Sequence, residues 1–196
     1  EIQLAQNEIN NRLVINRLKS VMIDGRVIGD VGYLNQSNIA LDDITVALEM
    51  AERLGCKTME ARLLRDTAST AYRFREALVN EKWDHLEQQL SRLDRDGVSD
   101  IVVGEIDLLA KECDNRNAIL EMAGALAVGA ISGEPGEIDM DRIDVDVVKQ
   151  SIGRAREYGC HTEEATNMLR TVEFIMTLRT YVQNREWNSV YDHIHE

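Results

Sequence analysis

Cys56 and Cys160 are the first residues in this chain that could do chemistry. They lie in two tetrads, Gly55-Cys56-Lys57-Thr58 and Gly159-Cys160-His161-Thr162, shifted by 104 positions. A recurring thiol suggests a redox pair or a metal. Zinc needs four close ligands at characteristic spacings, and no His or Cys pair recurs beside these cysteines. The pattern therefore fits a small, weakly polar residue at a tight corner, with both thiols buried and unpaired.

Three other groups invite a chemical reading. The histidines are His85, His161, His193 and His195. His193-x-His195, beside Asp192, has a spacing whose side chains diverge on a helix, which points to a solvated terminal helix. The acidic run from Glu134 to Asp146 offers Asp139, Asp141 and Asp144 to calcium. It lacks the loop glycine and closing glutamate of an EF-hand, and the earlier copy has Asn35, Ser37 and Ala40 instead. Capping and solubility are its expected roles, with a calcium- or metal-responsive module using 134–146 as an alternative. Gly25-x-x-x-Gly29-x-x-Gly32 follows a helix pattern without a strand or a Gly-Lys-Ser/Thr, so it matches neither nucleotide-binding loop. No catalytic set, cofactor or metal is assigned.

The elements that position these residues come from a duplication. Residues 1–92 align with 105–196 without a gap, and roughly a quarter of the positions are identical. Glu-Ile, Asn-Arg, the glycine triplet and Gly-Cys-x-Thr all return, followed by Arg75/Arg179, Asn80/Asn184 and Trp83/Trp187. The expected fold is all-α, two tandem homologous four-helix repeats of period 104, with units 1–96 and 97–196 divided near Asp94–Gly97. They would stack as an α-solenoid-like array or stand as two joined bundles. The period and the Gly-Cys-x-Thr corner fit neither tetratricopeptide nor HEAT repeats.

In each unit the first helix, about 1–24, carries Ile2, Ala5, Ile9, Leu13, Leu18, Val21 and Met22 at helical spacing. Its twin, starting near 98 or 105 and ending about 128, carries Leu108, Leu109, Ile119, Leu120, Met122 and Leu126. Gly25 and Gly129 end these helices as left-handed residues. A loop follows, without a strand pattern, and either Ser37/Asp141 or Asp42/Asp146 caps the second helix. Gly55 and Gly159 stop that helix, and Thr58 and Thr162 cap the third, which makes an αα-hairpin. Arg75 and Arg179 interrupt an apolar stripe, so each demands a partner. Glu1/Glu105, Glu8/Glu112 and Glu60/Glu164 are candidates, with Glu8 and Glu112 favoured. Trp83 and Trp187 read as wedges opening the fourth helix.

A formal charge of −13 disfavours nucleic acid and anionic lipid. The longest apolar run, Met122 to Ile131, is too short to span a bilayer. Three cysteines without a framework suggest a reducing, cytoplasmic home. Because it opens on Glu1, the chain reads as a processed protein or a piece of a longer one. The expected function is a non-enzymatic scaffold that binds a protein, with a basic patch suiting its acidity. An enzyme with a site between the units is a further alternative.

Overall fold

In the computed structural model, which describes residues 1–195, the chain is mostly helical. Its order is α1 (Ile2–Asp24), β1 (Ile28–Asp30), β2 (Tyr33–Asn35), α2 (Leu41–Leu54), α3 (Met59–Val79) and α4 (Trp83–Ser91). After two 3₁₀ turns come α5 (Val103–Ala127), β3 (Gly133–Glu134), β4 (Glu137–Ile138), α6 (Val145–Tyr158), α7 (Glu163–Gln183) and α8 (Trp187–His195). The residues form two compact units, Glu1–Cys113 and Asp114–Glu196.

The first unit closes α1, α2 and α3 around Val14, Leu18, Met22, Ile44, Leu64, Ala68 and Leu78. Alanines on α2 and α3 (Ala47, Ala51, Ala68 and Ala71) are buried in this core, and short side chains let helices approach closely. Ile106, Leu109 and Cys113, from the start of α5, join the same core. The expected break at Asp94–Gly97 is therefore fastened to this unit. Asp94 accepts from Asp96 N at 3.2 Å, and Ser99 N donates to the buried Thr67 hydroxyl at 2.9 Å. The second unit has a smaller core of Ala118, Met122, Val148, Ile152, Ala155 and Val172.

Four expectations need correction. First, the loops contain antiparallel hairpins, Ile28↔Asn35 to Asp30↔Tyr33 and Gly133↔Ile138 to Glu134↔Glu137. They are too short to display an alternating pattern. Second, the N-terminal half of the α1 stripe is uncovered: Ile2 is 89% exposed, Ile9 53% and Leu13 50%. The spacing was correct as a helix signal, but the residues do not share one face: Val14, Leu18, Val21 and Met22 reach the core, while Ile2, Ile9 and Leu13 lie on the other side of the helix. Leu120, on the twin stripe, is likewise exposed. Third, the residues capping α2 and α6 are Ala40 and Asp144, not Ser37/Asp141 or Asp42/Asp146. Asp144 Oδ1 accepts from Val147 N at 3.0 Å, whereas Ala40 has no acceptor to offer. Fourth, Gly25 has φ −96° and so is not left-handed, unlike Gly129 at +63°.

Gly29 and Gly133 have φ of +122° and +112°, and a Cβ there would collide with the carbonyl oxygens of Tyr33 and Glu137 across the hairpin. Gly133→Ala should therefore destabilise the chain by about 2 kcal/mol. Gly153→Ala should do the opposite, because Gly153 lies inside α6 with open space around it. There the gain should be about 0.5–1 kcal/mol. Urea midpoints at unchanged m-value check both signs.

Candidate functional site

The polar groups buried in this fold form two kinds of cluster. One is at the α2–α3 corner of the first unit. Gly55, at φ +78°, ends α2, and Thr58 Oγ1 accepts from Ala61 N at 3.2 Å, so the threonine caps α3. The buried side chain of Asn11, on α1, completes the corner. Its Oδ1 accepts from Lys57 N at 3.2 Å and its Nδ2 donates to Thr58 Oγ1 at 3.3 Å. In the second unit Gly159 has φ +89°, and Thr162 Oγ1 accepts from Ala165 N at 3.1 Å. Asn115 Oδ1 there accepts from the backbone N–H groups of His161 and Thr162, both at 3.0 Å. One amide thus satisfies donors that the turn leaves without helical partners. Asn11 and Asn115 were missed as site residues. Their signal was an identical polar residue, 47 positions before each threonine, on an otherwise apolar stripe.

The thiols serve the same corners. Cys56 Sγ lies 3.9 Å from Ala51 O, and Cys160 Sγ lies 4.0 Å from Ala155 O. Both are half-buried and in the free thiol state, so the expectation of full burial is corrected. The fully buried cysteine is Cys113. Burial pushes the Cys160 thiol up, and the Glu173 carboxylate adds to the shift.

The second kind of cluster surrounds the arginines. Arg75 is 0% exposed and Arg179 2% exposed. Arg75 Nε and Nη2 donate to the two oxygens of Glu105, both at 2.7 Å, in a bidentate pair. Its Nη1 reaches Val21 O at 3.2 Å and Nη2 reaches Met22 O at 2.8 Å. Gly25 is needed here for room, because a Cβ on it would lie 3.1 Å from Arg75 Nη1. Glu105 Oε1 also accepts from Val27 N at 3.1 Å, and Glu112 Oε2 from Gly32 N at 2.5 Å. The favoured partners were therefore wrong. Glu8 is exposed and pairs with Arg12 at 2.6 Å, and Glu112 holds the hairpin turn. Glu60 is also exposed, paired with Lys19 at 2.7 Å.

Arg179 differs. Its recorded partners among the described residues are all backbone carbonyls. Nη1 donates to Val128 O at 2.7 Å, Asp144 O at 3.1 Å and Ala125 O at 3.5 Å, and Nη2 to Leu126 O at 2.9 Å. Burial pulls its guanidinium below the ordinary range, while the Asp144 carboxylate opposes that shift.

The remaining candidates are scattered. Trp83 packs half-buried against the first core, but Trp187 is 48% exposed and is not a wedge. It lines a recess of about 570 Å³ with Gly136, Ile138, Met140 and Arg185. His193 is not simply solvated. It stacks on Phe174 with ring centroids 4.1 Å apart, and its Nε2 lies 3.0 Å from Phe174 O. In the acidic run, Asp139 pairs with Arg142 at 3.0 Å and Asp144 is occupied as a cap, while Asp141 sits in a 3₁₀ turn. Among the described residues no group of three or more His, Cys, Asp or Glu is placed to hold a metal. Nor is any helix long and apolar enough to cross a membrane. A shallow groove beside α2 and α3 is lined by Glu49, Glu52, Arg65 and Asp66. There Arg65 is already paired with Asp66 at 2.6 Å.

Glu105→Leu strands a buried guanidinium and should cost about 3–5 kcal/mol. Glu8→Ala, in a pair open to water, should cost under about 1 kcal/mol. Denaturant titration of the two variants compares them directly. The raised Cys160 thiol should react slowly with iodoacetamide near neutral pH, because the thiolate is the nucleophile and is scarce there. Its labelling rate should climb as pH rises above the ordinary thiol range. Mass spectrometry of the Cys160 peptide measures this, with the unfolded chain as the fast reference.

No protein-family model matches the chain, and no significant match was found among curated proteins or solved structures.

Proposed function

We propose that the chain is a non-enzymatic helical-repeat module that binds another protein, and that it is a segment of a larger repeat protein. Two homologous four-helix units of period 104 are part of this reading. Their support is the recurring order of elements and their lengths: 14 residues in α2 and α6, 21 in α3 and α7, and 9 in α4 and α8. The corner residues support it too. Asn, Thr and Arg at matching positions bond to backbone, so the repeated polar residues serve architecture.

The observation that carries the binding reading is the apolar face left in water on α1. Ile2, Ile9 and Leu13 lie along one side of α1 and are each at least half exposed. Large apolar side chains grouped on one exposed helix end mark an interaction surface. The partner's surface would be apolar at its centre with basic groups at its rim, which suits a net charge of −13. A cytoplasmic location fits the half-buried free thiols of Cys56 and Cys160.

A photo-crosslinking residue at Leu13, on the same side of α1, tests the reading in extract of the source cells. A discrete crosslinked product is expected, and Ile2→Asp/Ile9→Asp should remove it. Crosslinking that is absent, or equally strong in that variant, would overturn the assignment of this face.

A further inference from the structure

The groove along α2 and α3 has a volume of about 560 Å³. Half-buried Leu48 and Tyr72 supply its apolar part. Its charged groups are Glu49, Glu52, Arg65 and Asp66, all exposed. Arg65 and Asp66 cancel, since they pair at 2.6 Å. Glu49 and Glu52, one turn apart on α2, enter no ion pair among the described residues. The groove therefore presents two unpaired carboxylates beside an apolar strip.

The positions 104 further on lie on α6 and α7, which pack against each other as α2 and α3 do. There no charged position of the groove keeps its sign. Glu52 is matched by Arg156, Asp66 by Arg170 and Arg65 by Leu169. The neutral Thr45 and Ser69 are matched by Lys149 and Glu173. Even Arg53, the residue after Glu52, has its opposite in Glu157. Arg156 and Glu173 cancel across the two helices at 2.6 Å. Lys149 and Arg170 are exposed and enter no ion pair among the described residues. Arg170 Nη1 reaches a neutral acceptor, Asn167 Oδ1, at 3.3 Å. Half-buried Leu169 and Met176 are the apolar part of this face. Glu49 is matched by Gly153, where an added Cβ would meet nothing within 4 Å, so the backbone of α6 is open to close approach.

We propose that the α2–α3 groove of one copy of this chain docks on the α6–α7 face of a second copy. Glu49 and Glu52 meet Lys149 and Arg170, and Leu48 and Tyr72 pack on Leu169 and Met176 beside Gly153. Charge complementarity selects the occupant: the chain carries two unpaired acids on one helix pair and two unpaired bases on the other, each next to apolar surface. The two surfaces differ, so the contact is heterologous, and each added copy offers one more groove and one more basic face until a ring closes. No residue of α1 takes part, so this contact is separate from the α1 face described above.

Sedimentation equilibrium provides the test, from about 1 to about 500 µM protein at about 0.15 M salt, where the Debye length of about 8 Å screens the general repulsion between acidic copies more than charges in contact. The wild-type average mass should rise with concentration. Glu49→Lys/Glu52→Lys makes both surfaces basic, and Lys149→Glu/Arg170→Glu makes both acidic. All four residues are exposed, so circular dichroism should match wild type. Each of these variants alone should associate about tenfold or more weakly. An equimolar mixture of the two should associate again, because every basic surface then finds an acidic one. A single chain carrying all four substitutions should also recover, and it keeps the wild-type formal charge, so a change in overall repulsion cannot explain the recovery. A wild-type chain that stays monomeric would overturn the second copy as occupant and leave the groove to a different basic partner. A four-fold variant no better than either parent would overturn the pairing of these two faces.

Discussion

A guanidinium cannot be taken out of water unless nearly every N–H finds an acceptor. Charge burial costs several kcal/mol, and the fold must return that through close, well-directed bonds. Arg75 meets the demand with Glu105 and with two carbonyls at the end of α1. Val21 O already accepts from Gly25 N at 3.3 Å and takes Arg75 Nη1 as a second donor, and Met22 O, one residue nearer the end, takes Nη2. A cation at that end is favoured by the helix dipole as well. The arginine therefore closes α1, fixes the bend at Gly25 and ties α3 to both. Arg179 does the same for α5 through Ala125, Leu126 and Val128, and it adds Asp144 O at the start of α6.

The corner formed by Asn11 and Thr58 solves a related problem at the other end of the bundle. A two-residue turn between antiparallel helices leaves backbone N–H groups pointing at α1. A hydrocarbon side chain there would bury them unpaired, at about 1–3 kcal/mol for each group. One carboxamide and one hydroxyl supply the acceptors, and cysteine fills the space that remains. This explains why Gly, Cys and Thr travel together with an asparagine far away in the sequence. Only Gly reaches the backbone angles, and only the Asn–Thr pair satisfies the donors.

Much of this was legible from residue order. The boundaries of α3 follow from Thr58 and from the apolar period, and they agree with the structure at Met59 and Val79. The apolar residues of α1 were less regular: Val14, Leu18 and Met22 face the core, whereas Ile2, Ile9 and Leu13 lie on the opposite side, so steps of three and four marked a helix without marking one buried face. The choice of Glu8 and Glu112 failed for a different reason. Equivalent positions were treated as equivalent environments, whereas Arg75 takes its acid from α5, 30 residues further along the chain. The hairpins were invisible because two or three residues per strand show no alternation, and their one strong signal, Gly29 and Gly133, is shared with ordinary loops.

The difference between matching acids is the most informative feature of the chain. Glu1 and Glu105 belong to the same place in the sequence pattern, but the structure leaves one in water and buries the other against a cation. An exposed acid at the start of a helix contributes at most about 1 kcal/mol, whereas Glu105 holds a buried cation. The pairing of Glu with Ile at that turn has little use on a solvated helix, where isoleucine at 89% exposure gains nothing from burial. It has an evident use at the start of α5, where both side chains are enclosed. The same Glu-Ile pair therefore has two settings in this chain, in water at the start of α1 and enclosed at the start of α5.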